Sequence, residues 1–353
     1  MTARSRLPFY LASAYTLLAL YGSLYPFSSW RDTGVDPFAF LDAAWPRYFT
    51  AFDLTANVLA YLPLGFLWAT VLAARLPPAV ALLLATLAGG LLSFGIEFTQ
   101  NYLPSRVPSN LDLACNVAGS LIGALAGFRW GRHLLDGGRL HRWRERRFLG
   151  GVAGDRGLML LALWLLAQLN PETFLFGNGN LRGLLGFPAA FDFKAGHFIE
   201  LEMATVTAQT LAIMLIGNRL ARNHPVLLPL VLLGLALAIK SVALTMLMQN
   251  VPGFAWLSPG TLGGLALGFV LALMAFERSP AERLAFAAMA LMLATVLANL
   301  MPDNPYIEDS LRVWQQGHFL NFNGLTRLVS ALWPFLALPW LMLSRRIHDR
   351  DDS

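Results

Sequence analysis

Residues 78–100 read PAVALLLATLAGGLLSFGIEFTQ, a run without a charged side chain until Glu97. At about 1.5 Å of rise per residue, a helix of this length crosses the roughly 30 Å hydrocarbon core of a bilayer. The block is not alone. Apolar blocks of similar length recur at about 8–28, 53–74, 112–130, 157–170, 198–217, 225–249, 258–276, 283–301 and 328–344. The pattern predicts an all-α fold, a polytopic transmembrane helical bundle of about ten spans.

Composition agrees. Of 353 residues, 56% are hydrophobic and only 13% charged, and the mean hydropathy is +0.54. A soluble domain carries about 25% charged residues. The net charge of +5 is no nucleic-acid footprint, because its arginines fall in alternate connections: Arg4 and Arg6, Arg75, a cluster from Arg129 to Arg156, Arg219 and Arg222, Arg278 and Arg283, and Arg345 to Arg350. By the positive-inside rule these face the cytoplasm. Both termini are then cytoplasmic, and the longer connections 29–52, 101–111, 171–197, 250–257 and 302–327 face outward. The run Leu7–Phe27 is long, aromatic-rich and followed by no cleavage signature, so it reads as a first span rather than a removed signal. Arginine far outnumbers lysine, which is confined to Lys194 and Lys240, as in a GC-rich bacterial genome; the expected location is the bacterial inner membrane. The single cysteine, Cys115, excludes an internal disulfide and a Cys-x-x-Cys metal motif. The basic stretch 129–147 reads as a topology anchor, or as a holder of anionic lipid head groups at about 1 kcal/mol per basic residue.

That basic stretch also divides the chain. Residues 1–130 form a four-span unit, 131–156 a basic cytoplasmic linker, 157–276 a degenerate second four-span unit, and 277–353 a terminal pair with a cytoplasmic tail. Similar helix ends support a 4+4+2 parallel repeat: Leu24-Tyr25-Pro26-Phe27, Leu169-Asn170-Pro171-Glu172 and Leu300-Met301-Pro302-Asp303. So do two glycine stripes, Gly119, Gly123, Gly127 and Gly260, Gly264, Gly268, of the small-xxx-small kind that lets helices approach closely.

Against this background three polar pairs are out of place: Asp53 with Asn57, Glu97 with Gln100, and Asp112 with Asn116. Each pair is spaced to share a helix face, and the expected topology puts all three at the outward membrane face. Arg106 lies in the connection between the second and third pairs. An ionisable group in lipid costs from about 2.5 kcal/mol upward, so such residues face a protein interior or a wet cavity. The set is the candidate substrate-binding site. Its chemistry allows hydrogen bonding to a sugar or peptide head group, a divalent cation such as Mg²⁺ or Ca²⁺ at Asp53, Glu97 and Asp112, or acid–base work by one carboxylate. A plainer reading makes Asp53 and Asp112 helix caps and Arg106 a partner of Glu97. Elsewhere, Lys240 is expected to pair with Glu200 or Glu202, His197 with Glu200 forms a weaker second candidate, and His318 and Trp314 are expected on the outer surface.

The same residues resemble the VanZ-like family of bacterial membrane proteins. The pattern reads Asp53-Leu-Thr-Ala-Asn57 ahead of Tyr61-Leu-Pro63-Leu-Gly65-Phe66, then Glu97-Phe-Thr-Gln100, Arg106, Asp112-Leu-Ala-Cys-Asn116 and Gly119, within about residues 50–128. In one departure, Ser109 and Asn110 stand where many relatives place another acidic residue between Arg106 and Asp112. The resemblance implies a role at the cell envelope, since the family takes its name from an accessory protein of antibiotic resistance towards teicoplanin-type glycopeptides. The expected partners are membrane lipids and a lipid-linked saccharide, envelope precursor or glycopeptide, handled at the outer leaflet. A membrane-embedded transferase or hydrolase acting on a lipid-linked substrate, and a secondary transporter, remain open beside that reading.

Overall fold

The computed structural model describes residues 5–45, 50–135, 137–172, 175–248, 251–303 and 320–351; His318 and Trp314 lie outside these. Among the described residues the fold is all-helical, apart from an isolated bridge between Phe148 and Ala221. Nine of the described helices are long and apolar enough to cross a membrane. The tenth expected span, at 157–170, corresponds to a helix Gly151–Ala167 of 17 residues that carries Asp155 and Arg156 in its second turn. Its uninterrupted apolar stretch begins only after that charged pair.

The chain divides into two compact units, Met1–Glu145 and Arg146–Ser353. The first contains α1 (Leu7–Leu24), α2 (Ala51–Leu72), α3 (Pro78–Gln100) and α4 (Asn110–Ala126), the last continuing through a π turn at Gly127–Gly131; a basic helix, Arg139–Arg147, runs across the division between the units. Local chemistry sets the starts. Thr50 and Asp53 cap α2 reciprocally, and Ser109 accepts from the Asp112 N–H at the start of α4, which satisfies N–H groups that have no partner inside a helix. Proline at the first turn of α3 needs no N–H partner there.

The packing of α2 on α4 fixes the geometry of the first unit. A Cβ added at Gly119, Gly123 or Gly127 would run into the backbone carbonyls of Val58, Leu62 and Phe66 respectively. In lipid, where apolar side chains gain little by leaving one apolar medium for another, such backbone proximity is what holds helices together. Helix α1 is tied on by side-chain bonds: Tyr15 Oη donates to the Ala60 carbonyl (2.8 Å) and Trp68 Nε1 to Thr16 Oγ1 (3.0 Å).

The second unit holds α5 (Gly151–Ala167), α6 (Ala195–Leu220), α7 (Leu227–Leu247), α8 (Pro259–Phe276), α9 (Pro280–Leu300) and α10 (Leu320–Asp351). Its core gathers Trp164, Phe176, Leu215, Ile216 and Trp333. Trp333 and Trp340 donate from Nε1 to the Leu160 and Ala153 carbonyls (2.8 Å each), fastening α10 to α5. Here too a glycine stripe meets backbone: Gly260, Gly264 and Gly268 lie against the carbonyls of Ile199, Met203 and Thr207. The sequence separation between partners is the same as in the first unit.

One expected pair is different in the structure. Lys240, almost fully buried, donates from Nζ to the Asn170 carbonyl (2.6 Å), and its electrostatic partner is Glu172. Glu202 instead accepts from Ser258 and Thr261 at the start of α8, while Glu200 and His197 are exposed. The ammonium thus meets a carbonyl just beyond the C-terminus of α5, where helix dipoles favour a cation.

Candidate functional site

Four of the seven candidate residues link α2, α3 and α4 to one another. Asn57 Nδ2 donates to Asp112 Oδ1 (2.8 Å), joining α2 to α4. Glu97 is buried, 3% exposed, and accepts from the Ser109 N–H (2.8 Å). Because Ser109 also caps α4 through Asp112, the carboxylate of α3 fixes the residue that starts the next helix. Asn116 Nδ2 donates to Ser93 Oγ (2.9 Å), linking α4 back to α3.

The other three do different work. Asp53 is exposed and accepts from Thr50 at both the backbone N–H (2.9 Å) and the hydroxyl (2.7 Å). It is a cap at the rim, and an electrostatic neighbour of Asp112. Gln100 donates to the Ser23 carbonyl (2.9 Å) and Arg106 to the Tyr25 carbonyl (2.5 Å). Both anchor the α3–α4 turn to the end of α1. Burial pushes the Arg106 guanidinium below its ordinary value, since a half-enclosed cation loses hydration. The connection after α1 lies over the same end: Asn101 and Asn110 donate to the Val35 and Ala43 carbonyls, and Phe38 and Phe40 pack on Phe94.

Three further residues extend the site inward. Tyr61 lies one turn below Asn57, Ser93 one turn before Glu97, and Ser120 one turn after Asn116, and all three are buried. The signal was present in the sequence as i, i+4 spacing, but tyrosine and serine are common enough in apolar helices to pass without notice. The Tyr61 phenol lies beside Ser93 and Glu97. Asn116 Oδ1 and Ser120 Oγ have no hydrogen-bond partner among the described residues, and the Tyr61 hydroxyl has only the nearby Ser93 hydroxyl, in poor geometry. An unsatisfied buried polar atom costs about 1–3 kcal/mol. Asn116 and Ser120 lie along the α3–α4 contact, against Ser93 and Gly89 respectively, and leave it with hydrogen-bonding capacity to spare.

Among the described residues no three His, Cys, Asp or Glu side chains gather closely enough to hold a metal ion. Glu97 and Asp112 are electrostatic neighbours, but Asp53 is directed to its cap.

Fold and site together define a multi-pass helical membrane protein with a buried polar centre in its N-terminal unit. Residues 9–130 match the family model described as VanZ/LLP1, so the segment that carries the polar centre is VanZ-like. The match begins well before the motif residues and takes in α1, consistent with the bonds that Gln100 and Arg106 make to the end of that helix. No curated protein and no solved structure matches the chain.

Proposed function

We propose that the protein works at the bacterial cell envelope as an inner-membrane protein that binds a polar head group at the outer leaflet. The head group belongs to a lipid-linked saccharide, an envelope precursor or a glycopeptide-type antibiotic, and the binding centre lies between α2, α3 and α4. The arginine-rich connections support an orientation with both termini in the cytoplasm, which turns Asp53, Glu97 and Asp112 outward. The matched glycine packing in the two units supports a parallel duplication, with the polar centre kept in the first copy.

The observation that carries the reading is the buried Glu97 carboxylate beside the Tyr61 phenol, with Asn116 Oδ1 and Ser120 Oγ further along the α3–α4 contact and without a hydrogen-bond partner among the described residues. Carboxylates and an amide oxygen accept, and the two hydroxyls both donate and accept. A group rich in hydroxyl or amide N–H donors, such as a sugar or a short peptide, complements them.

The test is to purify the wild-type chain and the Glu97→Gln and Asn116→Ala variants from bacterial membranes at matched abundance, and to identify bound lipids by mass spectrometry. Wild type should retain lipid-linked saccharide or precursor, and both variants should lose most of it. Equal retention by all three, or none by wild type both from native membranes and after addition of a teicoplanin-type glycopeptide, overturns the reading.

A further inference from the structure

At the far end of the first unit from the polar centre, a cleft of about 860 Å³ opens between the start of α1 and the end of α2. Two kinds of residue line it. Arg6 and Arg75 supply cations, and Pro8, Phe9, Trp68 and Leu72 supply apolar wall. No carboxylate is among its described lining residues. Both arginines are exposed.

Two more sources of positive potential converge there. Ser5, also in the lining, accepts from Arg144 Nη2 (3.0 Å), which brings a third guanidinium from the basic helix to the rim. The cleft also receives the first turn of α1, the positive end of that helix. Cations at the mouth and an apolar wall beneath suit a molecule with a negative head and a hydrocarbon tail.

We propose that this cleft seats one anionic phospholipid, with its phosphate between Arg6 and Arg75 and the upper part of an acyl chain along Phe9, Trp68 and Leu72. A zwitterionic lipid brings an ammonium group that the guanidiniums repel. A soluble phosphate leaves the apolar wall uncovered. The site is independent of the head-group centre, from which it differs in place, in charge and in the lining residues.

The experiment uses the full chain in neutral detergent, with phosphatidylglycerol and phosphatidylcholine offered in equal amounts and bound lipid read by native mass spectrometry. Wild type should hold one phosphatidylglycerol in strong preference to phosphatidylcholine. The double variant Arg6→Gln/Arg75→Gln should bind it about 30-fold more weakly, since each basic residue near an anionic lipid contributes roughly fivefold. The control Arg31→Gln/Arg278→Gln, which removes the same charge from exposed positions elsewhere, should bind as wild type does.

A second measurement does not depend on the arginine variants folding. Phosphatidylglycerol brominated on its acyl chain should quench the fluorescence component that disappears in Trp68→Phe, and brominated phosphatidylcholine should not. Equal binding by the cleft variant, equal loss in the control, no quenching of the Trp68 component, or displacement of the lipid by millimolar glycerol 3-phosphate would each overturn the proposal.

Discussion

Replacing Gly123 by alanine tests the packing on which the polar centre rests. The added methyl group would sit against the backbone carbonyl of Leu62. Backbone of a packed helix cannot rotate aside as a side chain does, so α4 must retreat from α2 by roughly 1 Å. A gap of that size forfeits up to half of each atom pair's well of about 0.1–0.2 kcal/mol, and a few tens of pairs lie along the contact. The loss is then about 2–3 kcal/mol, in the range of overpacked cores generally. The same retreat stretches the Asn57–Asp112 bond, so binding at the centre falls together with stability. Gly95 provides the control, because nothing lies within 4 Å of its Cβ position, and alanine there gains helix propensity of up to about 1 kcal/mol. Unfolding of the purified chain by denaturing detergent, monitored by circular dichroism, should rank Gly95→Ala at or above wild type and Gly123→Ala well below. Indistinguishable unfolding of the two variants would refute the close-packing argument.

Other predictions address single contacts. In a double-mutant cycle, Asn57→Ala and Asp112→Ala should couple by about 1–2 kcal/mol in stability, the value of a half-buried hydrogen bond to a charged group; additive effects would show that the 2.8 Å contact contributes nothing. Tyr61→Phe removes a buried hydroxyl that has only the nearby Ser93 hydroxyl, in poor geometry, among the described residues, so thermal stability should hold or rise slightly while retained saccharide lipid falls; a stability loss beyond about 1 kcal/mol would mean that the hydroxyl is satisfied within the protein. In the second unit, Lys240→Ala removes the donor to the Asn170 carbonyl and the cation facing Glu172 and should cost about 3–5 kcal/mol, measured by the same unfolding assay. Adding Glu172→Gln should recover part of that cost, and no recovery would argue against the pairing.

Much of the site could be read in the residues themselves, and the exceptions share a cause. Glu97, Asp112, Asn57 and Asn116 stand out because charge and amide are rare beside long apolar runs. Asp53 stands out for the same reason, yet its carboxylate turns back to Thr50, a choice made by the cap of one helix. Gln100 and Arg106 reach the end of α1, which lies some eighty residues earlier in the chain and shares no periodic pattern with them. Tyr61, Ser93 and Ser120 become a site only once three helices face one another. For Lys240, several acids lay within plausible reach, and the partner it meets includes a backbone carbonyl, which no residue pattern announces.

Sequence alone determined the class of this protein: a helical membrane chain of about ten spans with a VanZ-like polar motif near its start. That information is local, because twenty apolar residues in a row have one stable outcome in a bilayer wherever they occur. Which polar atoms touch, and which are left over between α3 and α4, was decided only by the tertiary structure. The physical reason is that hydrogen-bond partners depend on the rotation and register of neighbouring helices. In the first unit both are set by glycine backbones resting directly on the carbonyls of α2.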